Sequence, residues 1–414
     1  MTPQPNAPIK VLMFGWEYPP FLSGGLGTAC YGLCKGLSRN GIRISFVMPV
    51  APEGAQTDYA KMIGTNNFPI NIKPVKTLLQ PYQTSKTYQA AYNKNINEKG
   101  FAGIKTPYGE NLYEEVQRYT KVASTIAAQE PHDVIHVHDW MTYKAGIQAK
   151  KISGKPLVAH IHATENDRTG GNPNPVISNI EHQGLRKADL VIANSQWTKN
   201  NVIKNYNIAP EKIAVVHWGI DRENLLQTTQ SFIKTKNKVV FFLGRLTIQK
   251  GVDYLIDAAT TVLEHEPHTT FLISGDGDLL PSLVHKVATL GLQNNILFTG
   301  WLTGQDIFKA HQSANLFVMP SVSEPFGLVA LEALSCGTPV IMSKQSGASE
   351  IVNHCCTVDF WDVKELANKI TSILRDPALH HELSTNGKTE AEHFTLDEPA
   401  KKVIEIYNQL CKKG

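Results

Sequence analysis

At 414 residues the chain is too long for one ordinary domain and divides naturally into two of about 200 residues. A hydrophobic content of 42% supplies two packed cores, and 40 Lys plus Arg against 37 Asp plus Glu leaves a formal charge of +3, too balanced to point to a nucleic-acid partner. No run of about 18 apolar residues marks a transmembrane segment, and MTPQPNAPIK lacks the apolar centre of a secretory signal, so a cytoplasmic location is expected.

Strands and helices alternate twice over, the pattern of two doubly wound α/β domains. Apolar runs in the first half predict strands near 9–15, 42–48, 134–138, 156–162, 189–193 and 213–217, with helices between them. Leu26, Ala29, Cys30, Leu33 and Leu37 recur at three- and four-residue intervals on one such helix, closed by Asn40 and Gly41. From about 51 to 112 the pattern weakens. Pro52, Pro69, Pro74, Pro81 and Pro107, with many Asn and Gln residues, predict an irregular elaboration available for acceptor contacts. The polar stretch from Arg222 to Lys238 supplies an interdomain linker at 223–238, between a first domain of 1–222 and a second of 239–395. The second half offers strands near 239–243, 270–274, 296–298, 316–319 and 339–342. Val252, Leu255, Ile256, Ala259 and Leu263 form the apolar face of its first helix, and an amphipathic helix follows Phe394. Cys30, Cys34, Cys336, Cys355, Cys356 and Cys411 show neither zinc spacing nor a small-domain framework, which predicts reduced, mostly buried thiols. No repeat of 20 to 50 residues is present.

The segment SEPFGLVALEALSCGTPV at 323–340 lies between the strands LFVMP and PVIMS, so it is the crossover of a parallel sheet, where ligands bind at carboxyl ends of strands. Pro325 fits the first position of a helix, which would leave the amides of Phe326, Gly327 and Leu328 free at the positive end of its dipole, a seat for a diphosphate. Glu332 then lies about two turns along, roughly 10 Å from the helix start. That span suits a nucleotide sugar, with Glu324 at the sugar and Glu332 at the ribose. An ordinary amphipathic helix with two solvated glutamates is the plainer alternative, and the flanking strands argue against it.

Two glutamates separated by seven residues resemble the signature of family 4 glycosyltransferases, retaining enzymes of the GT-B fold that include bacterial and plant glycogen and starch synthases. The resemblance implies two Rossmann-like domains facing a deep cleft, with the terminal helix, 396–414, crossing back to the first domain. Within FFLGRLTIQKG, Arg245 and Lys250 match the family's arginine and lysine on the first loop of the second domain. A planar fork and a point charge there would stabilise charge growing on a departing nucleoside diphosphate. Near the N-terminus, in MFGWEYPPFLSGGLGTA, Gly24 and Gly25 let backbone approach the donor closely. Gly25, Gly27 and Cys30 also nearly fit a dinucleotide fingerprint. Against it, the nine residues from Trp16 to Gly24 intervene where a tight turn is required, and no acid ends the second strand at FVMPV. Starch and bacterial glycogen synthases usually carry a lysine two positions before the paired glycines. Leu22 stands there, removing one candidate phosphate contact.

VIHVHDW and VAHIHATEND place His136 with His138, and His160 with His162, each pair on one face of its strand. Two such pairs are potential metal ligands, which makes a metal-dependent hydrolase the rival from another class. Metallo-β-lactamase-type enzymes, however, space the acid two beyond the second histidine, whereas Asp139 follows His138 directly. The resemblance instead places Asp139 in the cleft and His162 at the donor sugar, and matches Glu181 to a family glutamate. Asp276, Gly277 and Asp278 spell the metal motif of a different fold, GT-A. Here Gly275 and Gly277 make a turn and Asp278 is placed to cap the next helix. No metal or cofactor is expected. The motifs GGLG, HVHDW and EPFGL look most like the glycogen and starch synthase branch. That implies glucose transfer from ADP-glucose or UDP-glucose to an α-1,4-glucan acceptor, with exopolysaccharide, lipid or small-molecule acceptors remaining open.

Overall fold

The computed structural model describes residues 8–19, 25–51, 57–67, 110–224 and 237–412. Two parallel sheets with helices on their faces carry an α/β architecture. The first contains β1 (Lys10–Phe14), β2 (Arg43–Met48), β3 (Lys61–Gly64), β4 (Val134–His138), β5 (Leu157–Ile161), β6 (Leu190–Ala193) and β7 (Ile213–Val215), in the order β3-β2-β1-β4-β5-β6-β7. The second contains β8 (Lys238–Leu243), β9 (Thr269–Ser274), β10 (Ile296–Gly300), β11 (Leu316–Met319), β12 (Val340–Ser343) and β13 (Cys356–Val358), in the order β10-β9-β8-β11-β12-β13. Strand order therefore reverses between β1 and β4 in one sheet and between β8 and β11 in the other. These are the two places where an open α/β sheet leaves a crevice at its carboxyl edge.

Helices cover both faces, so the central strands are buried throughout and mostly apolar, with histidines interrupting β4 and β5. Along β8, Val239 and Phe241 join the apolar cluster that fills the first domain and reaches one face of the second sheet. Val240 and Phe242 join the cluster on the opposite face. The helix Gly25–Arg39 buries the predicted stripe of Leu26, Ala29, Cys30, Leu33 and Leu37, and the Asn40 side chain donates to the Gly36 carbonyl at its end. The helix Asp397–Cys411 lies against Gly25–Arg39 and β4, where the Tyr407 hydroxyl meets Nδ1 of His136 at 2.5 Å. The chain enters this helix beside the segment that leaves the first domain, since the Ile220 amide donates to the Phe394 carbonyl at 2.9 Å. Buried Lys35 holds the departing segment through Asp221 and Glu223, both at 2.6 Å.

Three sequence expectations change. β3 pairs with β2 inside the stretch read as irregular; it is a four-residue edge strand with too few positions to establish a period. β13 extends the second sheet beyond β12, and Cys356 pairs with Ile341 in it. All six thiols are free, but only Cys30 and Cys34 are fully buried, and Cys411 is exposed at the end of a helix whose other face does the packing. Most of 51–112 and the linker residues 225–236 lie outside the described residues.

Candidate active site

At the second sheet's switch point, β8 runs into the loop that carries Arg245, and β11 runs into the loop that carries Glu324. Both side chains reach the same crevice. Lys250 closes a 3₁₀ turn, Ile248–Lys250, rather than opening the following helix Val252–His265. Its Nζ donates to Oε2 of Glu324 at 2.6 Å, and Ser321 Oγ donates to the same oxygen at 3.2 Å. Arg245 is half-buried and bonds Gln249 Oε1 at 3.3 Å, while Gln249 Nε2 donates to the Ser323 carbonyl. Lys250 and the first glutamate thus form one hydrogen-bonded group, and Gln249 ties Arg245 to the backbone just before that glutamate.

The crossover helix starts later than its sequence suggested. It spans Leu328–Ser335, capped by Gly327 at φ 107°, so Pro325 and Phe326 precede it. The reason is tertiary: the Phe326 carbonyl accepts from Ala348 N and Ser346 Oγ, and the Pro325 carbonyl accepts from Ser195 Oγ at 2.6 Å. Those bonds keep both residues out of the helix, and a glycine makes the turn into it. Of the amides proposed for a diphosphate, Leu328 now leads the helix together with Val329, Gly327 is its cap, and Phe326 lies outside it. Glu332 accordingly sits about one turn, roughly 6 Å, from the helix start, and not two. It is half-buried, and among the described residues no side chain hydrogen-bonds or ion-pairs with it. Burial raises its carboxyl to about 7. A buried acid without a partner is costly unless a ligand supplies donors, and a ribose diol has them.

The facing wall comes from the first sheet's switch point. Asp139 follows β4 with φ 57°, an uncommon backbone for a non-glycine residue. Its Oδ1 accepts from the His162 amide at 2.7 Å and its Oδ2 from Arg168 at 3.3 Å. Burial pushes the Asp139 carboxyl up, while Arg168 and the amides of His162 and Ala163 oppose that shift. His162 follows β5 and is 9% exposed; burial, then Arg168, lowers it to about 3, so it faces the crevice as a neutral imidazole. Glu181 is wholly buried, away from the crevice. Its carboxylate accepts the Glu165 amide, Arg168 at 3.0 Å and the Tyr206 hydroxyl, and burial raises it to about 7 against the pull of Arg168. Its part is to hold Arg168, which in turn holds Asp139. Gly25 opens the helix Gly25–Arg39, and a Cβ there would meet no protein atom within 4 Å. Gly24 lies outside the described residues.

The four strand histidines do not form an open hydrolase site. His136 Nε2 lies 3.2 Å from His160 Nδ1, and His138 Nδ1 lies 2.9 Å from His162 Nε2. Trp218 stacks on His160 at 5.0 Å and on His162 at 5.3 Å. Asp278 does not cap a helix: the next one, Leu280–Thr289, has Leu279 at its cap position, and Asp278 is exposed. The glycines beside it answer a close approach, since a Cβ on Gly275 would come within 1.8 Å of the Gly244 carbonyl.

The two walls touch. Ser323 Oγ donates to Asp167 Oδ1 at 2.6 Å, and Glu350 accepts the amides of Gln196 and Trp197 and lies 3.0 Å from His217 Nε2. Sequence reasoning missed Arg168, Trp218, Ser195 and Glu350. Only the first left a signal, the Thr164 to Asp167 capping box that turns the chain toward Asp139.

Known protein families match most of the chain. The model of Glycosyltransferase Family 4 matches residues 23–224, and that of Glycosyl transferases group 1 matches residues 226–390. This chain is a family 4 glycosyltransferase of the GT-B fold. An uncharacterized glycosyltransferase of Methanocaldococcus jannaschii is 30% identical, over 96% of this chain and 98% of that one. Glycogen synthase of Mycobacterium tuberculosis is 28% identical, over 89% and 87%, and D-inositol 3-phosphate glycosyltransferase of Salinispora tropica is 29% identical, over 69% and 66%. Among solved structures, sucrose-phosphate synthase from Thermosynechococcus elongatus superimposes with a TM-score of 0.77 at 19% identity, covering 98% of this glycosyltransferase and 100% of that chain. Anabaena HepE in complex with UDP-glucose gives 0.69 at 22%, covering 97% and 100%. Among the described residues no helix is long and apolar enough to cross a membrane.

Proposed function

We propose that this enzyme is a retaining hexosyltransferase that moves glucose from ADP-glucose or UDP-glucose to a glycan, elongating an α-1,4-glucan as glycogen and starch synthases do. The observation that carries the reading is the convergence of Arg245, Lys250, Glu324 and the start of the helix Leu328–Ser335 at one switch point. Two cations and a row of helix amides are what a diphosphate needs, and both charges lie where charge grows as the sugar leaves. Glu324 faces the sugar and Glu332 the ribose. His162 and Asp139 face the sugar from the opposite wall, His162 as the neutral partner of a hydroxyl.

In this mechanism no protein carboxylate serves as nucleophile. Glu324 is held by Lys250 and Ser321, and Asp139 by Arg168 and two amides, so both carboxylates act by charge and orientation. The acceptor hydroxyl attacks on the face the phosphate leaves, and its proton passes to the departing phosphate oxygen. Closure of the two walls excludes water and limits hydrolysis of the donor. Catalysis proceeds without a divalent ion, in the cytoplasm, where nucleotide sugars are made. Full activity in excess EDTA is expected; loss of activity restored by manganese would reverse this assignment.

The glucan assignment is supported by the glycogen synthase relative and by the GGLG, HVHDW and EPFGL motifs. The D-inositol 3-phosphate relative favours a second reading, a small phosphorylated acceptor, on the same donor chemistry. A donor screen read as released ADP or UDP, with glycogen or with inositol phosphate, separates them. Glycogen-dependent release supports the first reading, and release dependent only on the small acceptor supports the second.

A further inference from the structure

The buried histidines behind the crevice wall are not used by the transfer reaction, apart from His162. Among the described residues, Cys30, His138 and His162 each offer a ligand atom within 4.8 Å of the other two. Zinc bonds of about 2.3 Å to sulfur and about 2.0 Å to nitrogen set tetrahedral ligands roughly 3.5 Å apart, so small rotations of these side chains close the set. We propose that Cys30, His138 and His162 form a binding site for a thiophilic divalent cation of the zinc type.

Three features of the cluster favour a cation. His138 Nε2 is buried without a hydrogen-bond partner, an unsatisfied group that a native structure seldom leaves without a purpose. His138 on β4 and His162 just past β5 come from paired strands, so both rings reach the same point. Cys30 is fully buried beside the two rings, so a soft thiol ligand stands next to two imidazoles without competing solvent. A thiolate with imidazoles is the donor set of zinc. Binding releases the Cys30 proton to solvent.

A consequence rests on the proposed function. His162 bound to metal no longer meets the donor sugar, so the ion inhibits transfer, the reverse of the metal-dependent hydrolysis that the histidine spacing alone invites. Cys30 lies in the apolar stripe of the helix Gly25–Arg39 and touches no proposed substrate group.

Cadmium titration of the full-length, reduced protein tests the site directly, because thiolate-to-cadmium charge transfer absorbs in the ultraviolet without any turnover. The wild type is expected to bind one equivalent that Cys30→Ala lacks, with Cys34→Ala unchanged as the control for a neighbouring buried thiol. His138→Gln provides a second variant, and a thermal melt confirms that each is folded. The affinity loss in Cys30→Ala should exceed about 100-fold, since even an outer-shell change costs 10–100-fold. The same signal in Cys30→Ala, or none in the wild type, overturns the site. Cys30-dependent binding that leaves glucosyl transfer intact upholds the site and refutes the role given to His162 at the sugar.

Discussion

Lys250 and Glu324 meet at 2.6 Å across the switch point, so a diphosphate that draws Lys250 away also frees Glu324 for the sugar. Removing the lysine leaves a buried carboxylate without its cation as well as a phosphate without its charge. Arg245→Ala and Lys250→Ala are each expected to slow transfer by about 100-fold or more at saturating donor. Single-turnover rates measure this, and near-normal turnover in both would refute the leaving-group role. Glu332 makes a pH-dependent prediction. Its folded carboxyl is raised from 4.5 to about 7, so between those values the folded protein holds a proton that the unfolded chain has lost. Stability therefore falls as pH rises through this window and then levels off. Donor binding should change in the opposite sense: the KM for donor is expected to fall as pH rises through about 7, when the carboxylate becomes free to accept from the ribose. A flat profile in Glu332→Gln with the slope kept in the wild type would bear this out, and an identical slope in both would sink it. At this scale the resemblance carried by residue type at a fixed spacing was enough to expect Arg245, Lys250, Glu324 and Glu332 in one site, and the structure joins Lys250 to Glu324. The sequence was silent on Arg168, Trp218 and Glu350, whose parts depend on partners far along the chain that no local pattern announces.

Among the elements, strands buried on both faces were legible because burial alone demands mostly apolar runs, as in KVVFFL and LFVM. β3 and β13 were not, being short edge strands defined by a neighbour more than by their own residues. The start of the crossover helix was misplaced because local rules favour Pro325 at a first turn, whereas the Ser195 and Ser346 hydroxyls and the Ala348 amide bond the Pro325 and Phe326 carbonyls and keep both residues out of the helix. Gly327 then makes the turn at φ 107°, and a Cβ there would lie 2.8 Å from Cε of Met319. Gly327→Ala is expected to cost about 1–3 kcal/mol of stability. It should also weaken nucleotide binding several-fold, because the amides of Leu328 and Val329 shift with the cap. A thermal melt and a UDP or ADP titration would check both, and unchanged affinity would remove the helix start from the donor site.

Across the whole molecule, alternating strand and helix patterns were enough to indicate two doubly wound domains, since parallel strands need long crossovers. What they could not indicate is how the walls meet, because Ser323 on Asp167, Ser195 on Pro325 and Glu350 on the amides of Gln196 and Trp197 join residues more than a hundred positions apart. Those contacts tie the loop carrying Glu324 to the wall carrying Asp139 and His162, so the site exists only while the domains face each other. The terminal helix on Gly25–Arg39 and the paired crossings at Ile220 and Phe394 bring the chain back to the first domain and limit how far the walls can part. The most direct test of this account is a crystal of the enzyme soaked with UDP-glucose or ADP-glucose. The account predicts the diphosphate against Arg245, Lys250 and the amide of Leu328, the ribose at Glu332 and the hexose between Glu324 and His162. A nucleotide sugar well ordered elsewhere, with these side chains unmoved, would contradict it.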